Sequence, residues 1–394
     1  MELKEKIIMV TNTCPFPCNY GGKVGTLSNL KILSKKFDVY LYGLLEKDDV
    51  IDDKELSKYC KEYNFFSRKK NYLNCLMNFF HPYLLVSRRN RKLRKKIKSS
   101  IKENNIKYIF ADSLLILDNI TDTEQNLFVY EQNIEFEALK SIGKGKCGLK
   151  KIIYKIQSFL LEKYEKKIVN RKNLKGICFI SFEEQKKFCD ITKYNKESTL
   201  YLPTIYQNEI SNKINKKDDF DVLMVANYKY SPNIFGLNWF LDNCLEKLIK
   251  EDSNIKIAFV GRGLPKEVFD KYKSSKNVLP IGEVDSVAQY YENSKVVIIP
   301  LFQGAGVKIK LLEAVSYDKP IVCTTKTVEG TRFDDNSVWI ANKPDEFVEG
   351  IIKLFKDETI SKQKVLCAKK IFSEDYNQNV LADKLYKFII RWFK

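Results

Sequence analysis

The sequence predicts an α/β protein built from two Rossmann-like, doubly wound domains. Three observations carry that prediction. Short apolar segments alternate with amphipathic ones from the amino terminus onward, the alternation stops at a polar stretch near the middle, and it then starts again. A chain of 394 residues exceeds one ordinary core. Its 44% apolar content is ample for two.

In the first half, strands are expected at 7–11, 38–44, 108–111, 127–131 and 176–180. Pro15, Pro17, Gly21 and Gly22 form a loop after the first strand, and Val24, Leu27, Leu30 and Leu33 give 23–36 helical spacing. A long helix is expected over 149–169, with Ile152, Ile156, Phe159, Leu160 and Tyr164 on one side. Such alternation makes a parallel sheet with helices on its faces. The polar segment 206–219 is the expected linker between a first domain, 1–205, and a second, 220–375. The second half repeats the pattern, with strands at 220–226, 255–260, 278–281, 295–300 and 319–322 and helices at 233–248, 286–293, 344–355 and 361–372. A final amphipathic helix at 376–394, carrying Leu381, Leu385, Phe388, Ile389 and Trp392, is expected to cross back to the first domain. Two such domains imply a cleft bordered by the carboxyl ends of the strands.

The strand at 295–300 is apolar enough to be buried on both faces, and Gly304-Ala305-Gly306-Val307-Lys308-Ile309-Lys310-Leu311-Leu312-Glu313-Ala314 follows it. Glycines let backbone approach a ligand closely. A helix starting near Val307 turns its free N–H groups and positive dipole end into that loop, and Lys308 and Lys310 add charge. This pattern suits a phosphate or diphosphate. Glu313, within the second turn, is placed to reach a sugar hydroxyl beside it. Gly261-Arg262-Gly263 reads equally as a plain turn or as a loop facing a base or phosphate.

The net charge of +18 is uneven. Residues 1–200 carry +15 and residues 201–394 carry +3. The first half therefore faces an anionic partner, or else the excess is a composition bias on solvated faces. The sharpest basic run holds Arg88, Arg89, Arg91, Lys92 and Arg94, with Leu93, Ile97 and Ile101 as a helical stripe. It reads as a helix on anionic lipid headgroups, with Phe79, Phe80, Tyr83, Leu84 and Leu85 upstream, or as a solvated helix whose stripe packs on the sheet. No nucleic-acid-binding motif accompanies the charge. The absence of any run of about 18 apolar residues argues against a transmembrane helix. The start is too acidic and its apolar strand too short for a signal peptide, so a cytoplasmic protein, peripheral on the inner face of the plasma membrane, is expected. Ten cysteines without a C-x-x-C pair read as reduced and mostly buried. The single His81 builds no usual zinc site, and no metal is expected.

Taken together, the residues resemble retaining glycosyltransferases of the GT-B fold, the family-four group that uses nucleotide sugars. The likeness is clearest over 221–355. It runs through Tyr230-Ser231-Pro232-Asn233, Phe259-Val260-Gly261, Gly282-Glu283-Val284, Tyr290-Tyr291, Pro300-Leu301, the Gly304–Ala314 segment and Glu329-Gly330. In the first half, Pro15-Phe16-Pro17 with Gly21-Gly22, Gln132-Asn133-Ile134-Glu135 and Leu161-Glu162-Lys163-Tyr164-Glu165 are similar to family elements, as is the helix opening at Ser181 with Glu183. The resemblance implies a nucleotide-sugar donor, a UDP-sugar first among them, held in the second domain without an obligatory metal, and a glycan or lipid-linked acceptor on the side of the first. It implies donor contacts from Gly21, Gly22, Gly261, Arg262, Val284, Gly304, Ala305, Gly306, Val307 and Lys308. It gives Glu313 the ribose hydroxyls, a cis-diol to which a carboxylate bonds twice. Lys308 and Lys310 would neutralise the leaving diphosphate. Gln132 would contact the transferred sugar.

Three departures stand out. Ala305 occupies the position eight before Glu313, where the family often has a second acid. Gln132 replaces a histidine and hydrogen-bonds without titrating. Lys229 stands weakly where relatives place an Arg or Lys against the donor phosphate. The first reading is an enzyme of cell-surface polysaccharide or glycoconjugate synthesis. A catalytically silent GT-B partner or glycan-binding subunit is the alternative, and an epimerase or hydrolase on the same fold is a third.

Overall fold

A computed structural model describes residues 4–18, 21–68, 80–121, 123–205, 220–304 and 306–392. The expected linker 206–219, Phe79 and Ala305 lie outside the described residues. The chain divides into two compact units, residues 1–205 with 378–394, and residues 206–377.

The first unit holds seven parallel strands: β1 (Glu5–Thr11), β2 (Phe37–Leu45), β3 (Cys60–Ser67), β4 (Tyr108–Ala111), β5 (Asn126–Glu131), β6 (Leu174–Phe179) and β7 (Thr199–Tyr201). Their order is β3-β2-β1-β4-β5-β6-β7. Side chains alternate across a strand, so β1 sends Ile8 and Val10 into one core and Ile7 and Met9 into the core on the opposite face. The two strands of this unit absent from the sequence reading are its two edges. β3 is only partly buried and mixes Lys61, Glu62 and Asn64 with aromatics, while β7 has three residues. Neither leaves an apolar run to read.

The Gln378–Ile390 helix closes this unit. It packs beside the Gly21–Lys36 helix and puts Leu381, Leu385, Phe388 and Ile389 into the core of Ile7 and Met9. Gln378 Nε2 donates to the Lys31 carbonyl at 2.7 Å, and Lys36 pairs with Asp383 at 2.6 Å.

Two amphipathic helices of the first unit differ in which face they bury. Arg91–Asn104 starts on the Asn90 side chain, which accepts from Lys92 N and Leu93 N. Its stripe turns inward, with Leu93 and Ile97 buried and Ile101 packed on them. Gly148–Ile168 does the reverse. It buries Ser158, Leu161, Glu165 and Ile168, and leaves Ile152, Ile156 and Phe159 of the expected stripe exposed. The buried face is partly polar because its polar members have partners: Ser158 Oγ donates to the Phe136 carbonyl at 2.9 Å and Glu165 accepts from Phe136 N at 2.9 Å.

The second unit holds β8 (Val222–Val225), β9 (Ile257–Val260), β10 (Val278–Gly282), β11 (Val296–Ile299), β12 (Ile321–Cys323) and β13 (Trp339–Ile340), all parallel, in the order β10-β9-β8-β11-β12-β13. Every residue of β11 is buried. The helix expected at 233–248 is two, Ser231–Asn243 and Leu245–Glu251, meeting at the buried Cys244. That break turns Leu245 and Leu248 onto Phe347 and Ile351 of the Pro344–Lys356 helix. In each unit strand order reverses once, at β1/β4 and at β8/β11. Helices leave the sheet in opposite directions there, which opens a crevice at the carboxyl edge. Among the described residues no helix is long and apolar enough to cross a membrane.

Leu385 is buried in the first unit although it lies 180 residues beyond that unit's other segment. Leu385→Ala removes a packed core side chain and lowers stability by about 2–5 kcal/mol; urea unfolding followed by circular dichroism measures the loss.

Candidate active site

At the reversal in the second unit, two loops face each other over the ends of β8 and β11. The β8 loop carries Asn227 to Tyr230 into the Ser231–Asn243 helix, and the β11 loop carries Gly304 and Gly306 into the Ile309–Ser316 helix. Gly304 and Gly306 have φ of +105° and +73°, a region that side chains rarely adopt, so the tight loop requires glycine at both. Lys308 folds back over it. Its buried ammonium donates to the Gly304 carbonyl at 3.4 Å and to the Gly306 carbonyl. Lys308 also occupies the N-cap position, so the helix opens two residues later than its sequence suggests. A residue whose side chain is pulled toward its own loop does not enter the helical turn.

Lys310 crosses between the two loops. Its ammonium donates to Asn233 Oδ1 at 2.5 Å, and Asn233 Nδ2 donates to the Asn227 carbonyl at 2.7 Å. Burial pushes the Lys310 ammonium down to about 8, against the opposing pull of Glu313 and with a smaller push from Lys308. One turn on, Glu313 accepts from Tyr291 Oη at 2.9 Å, and the Tyr291 ring stacks on Tyr317 with centroids 4.9 Å apart. Two ammonium groups, a carboxylate and a helix amino end thus meet at one crevice mouth. Such a set attracts a polyanion and holds a diol beside it. The Tyr230 hydroxyl also borders this loop, 3.4 Å from where a Cβ on Gly304 would stand.

Of the other residues expected here, Gly261 ends β9 with φ +130°, its N–H donating to the Gly282 carbonyl at 2.6 Å. A Cβ on Gly261 would stand 1.9 Å from the Ala226 carbonyl oxygen, so close packing of neighbouring strand ends accounts for this glycine. Arg262 is exposed, 3.5 Å from Glu283. Val284 packs against the apolar core. Glu329 pairs with Lys326 at 2.5 Å. Ala305 lies outside the described residues.

The first unit repeats the geometry at β1/β4. Gly21 and Gly22 open the helix that follows β1, and Gln132, after β5, donates from Nε2 to the Gly22 carbonyl at 3.4 Å. Asp112, at the end of β4, is buried and accepts from Asn29 Nδ2 at 2.7 Å and from Thr26 Oγ1. Burial pushes its carboxyl up to about 7, against those two bonds. Lys23 and Asp49 form a buried ion pair at 2.6 Å, and Asp49 also accepts from Thr13 Oγ1, Cys14 N and Glu46 N. That pair braces the loop before the glycines.

The Gln132–Glu135 element ends at a helix amino terminus that borrows its caps. Ile134 N donates to Glu184 at 2.8 Å and Phe136 N to Glu165. Of the basic residues, Arg88 donates to the Leu84 carbonyl at 2.7 Å, with burial pushing it down to about 10. Arg89 pairs with Asp118 at 2.6 Å, Arg94 is half-buried, and Arg91 and Lys92 are exposed. Among the described residues no group of three or more His, Cys, Asp or Glu side chains is placed to hold a metal ion.

Residues 219–357, which contain the whole β8/β11 crevice, match the family of group 1 glycosyl transferases. The second unit thus carries the group 1 glycosyl transferase pattern. The chain is 26% identical over 399 residues to an uncharacterised 44.6 kDa protein in the cps region of Klebsiella pneumoniae, covering 97% of this chain and 99% of that one. A glycosyltransferase from Rickettsia africae superposes with a TM-score of 0.67 at 14% identity, over 99% of both chains. Anabaena HepE, crystallised with UDP, superposes with a TM-score of 0.64 at 12% identity, over 97% of this chain and 98% of that one. The chain's two units are thus the two Rossmann-like domains of the GT-B fold.

Asn233, Tyr291 and Asp112 had no assigned role in the sequence reading. Asn233 and Tyr291 lie 77 and 22 residues from the side chains they hold. No local pattern pairs them; only the strand order could have suggested that loops after β8 and β11 meet.

In the first domain, burial pushes Glu135 up to about 7 and Glu165 up to about 8, and Glu131 well up. The folded state therefore binds more protons than the unfolded chain between about pH 5 and 8, so stability falls as pH rises through that window. Thermal unfolding at pH 5.5 and 8 should show the drop, and Glu165→Gln should flatten it.

Proposed function

We propose that the chain is a retaining glycosyltransferase that moves a sugar from a UDP-sugar to a glycan or lipid-linked acceptor in cell-surface polysaccharide synthesis. The observation that carries the reading is the convergence of Lys308, Lys310, Glu313 and the amino end of Ile309–Ser316 on the glycine loop. In this reading the loop backbone at Gly304, Gly306 and Val307 cradles the diphosphate. Lys310 and Lys308 neutralise the charge that appears on the leaving diphosphate, fixed donors that need no reorganisation at the moment of bond breaking. Glu313, steadied by Tyr291, takes the ribose hydroxyls. Gly261, Arg262 and Val284 border the donor on the β9 and β10 side.

UDP in the related fold of HepE supports the choice of base, and the cps-region relative supports the polysaccharide role. Gln132, with Gly21 and Gly22, lies on the sugar and acceptor side. No metal is required, because the lysines and the helix supply the positive charge. The first domain's basic surface, Arg91 and Lys92 foremost, faces anionic lipid on the inner side of the plasma membrane, where a lipid-linked acceptor is found.

Glu313→Ala removes a charge-assisted bond to the diol and lowers kcat/KM for the donor by about 10- to 100-fold; unchanged turnover with the native acceptor would refute the assignment. Retention is read from the anomeric proton couplings of donor and product.

Lys310 adds a pH signature. The diphosphate binds the protonated ammonium, so binding takes up a proton above pH 8. UDP affinity is flat below that pH and falls up to tenfold per unit above it. In Lys310→Met, calorimetry shows weaker binding and no step at pH 8.

A further inference from the structure

We propose that the outward face of the Gly148–Ile168 helix docks on an anionic lipid bilayer by inserting its apolar side chains. The inference deepens the reading of a membrane partner given above and rests on it, but assigns the contact to a different helix. Leu149, Ile152, Ile153, Ile156 and Phe159 are 72%, 56%, 49%, 39% and 54% exposed. Their spacing of three and four residues gathers them on one side of three successive turns, opposite the buried Leu161, Glu165 and Ile168. Scattered exposed apolar residues are ordinary; five contiguous ones on one helix face mark an interaction surface.

Charge selects the partner. Residues 138–161 contain six lysines and no carboxylate. Lys155 borders the stripe, and Lys163 and Lys167 continue its side of the helix toward the carboxyl end, while Lys166 pairs with Glu162 at 2.6 Å. Long lysine stems lie along an apolar surface while their ammonium groups reach the headgroups. An apolar stripe bordered by lysines fits the interface of an anionic bilayer. The neighbouring chain adds to it: Tyr83 N donates to Gln157 at 2.6 Å, three residues after Phe80, which is 85% exposed.

The Arg91–Asn104 helix, the stronger candidate by charge alone, has no apolar face to insert, because Leu93 and Ile97 are already in the core. It contributes attraction at a distance, and the Gly148–Ile168 helix contributes insertion.

The test uses the full chain with vesicles of phosphatidylcholine alone and of phosphatidylcholine with phosphatidylglycerol, in a flotation assay at low and high salt. Wild type should float with the anionic vesicles only. A variant carrying Ile152→Ser, Ile153→Ser and Ile156→Ser should bind them at least tenfold more weakly while its UDP affinity and melting temperature stay unchanged. Phe159→Trp should show a blue-shifted emission on adding anionic vesicles. Equal vesicle binding by the triple variant would overturn the insertion face while leaving the membrane partner standing. If wild type floats with neither vesicle, both fall. Loss of self-association in the triple variant without loss of lipid binding would identify the face as an interface between copies of this chain and overturn the proposal.

Discussion

Burying an ammonium group at the edge of a parallel sheet opposes folding, because the charged form loses its water. In this chain the Lys310 ammonium accepts that cost where strand order reverses, and one amide oxygen, from Asn233, compensates it. The placement follows from topology. Loops after β8 and β11 are neighbours only because those strands pair while their helices depart in opposite directions. Asn233 in turn is held by the backbone of the β8 loop, so the position of Lys310 is set by a strand distant in sequence. Glu313, one turn on, is held by Tyr291 from a third element. A charged site assembled from three segments keeps its geometry without a ligand.

The first domain solves the same problem with the opposite charge. Asp112 is buried at the end of β4 and bonded to the helix after β1. Together with the Lys23–Asp49 pair it fixes where that helix starts, and therefore where Gly22 meets Gln132. The caps of the Glu135–Lys144 helix come from carboxylates on two other helices, which leaves several acids buried close together. Loss of water raises their affinity for protons, and the backbone N–H bond that Glu165 accepts only partly opposes it.

Two helices with similar sequence character end up in opposite roles. Both have an apolar stripe and many lysines or arginines. One buries its stripe in the core, and the other buries a stripe that includes Ser158 and Glu165 and presents its isoleucines outward. Which face turns inward depends on which polar groups find partners there, and periodicity carries no information about partners.

The two-domain α/β fold was legible in the sequence because buried parallel strands are continuous apolar runs and the pattern repeats after a polar break. The glycine loop, Lys308, Lys310 and Glu313 were legible because one short segment supplies them all. The edge strands β3 and β7 were not, since a half-exposed or three-residue strand leaves no run to read. Nor were Asn233, Tyr291 and Asp112, or the outward face of Gly148–Ile168. Each depends on which segments the strand order makes neighbours. Local pattern determines what an element is; the free energy of burying polar groups, which only assembled neighbours can satisfy, determines where it points.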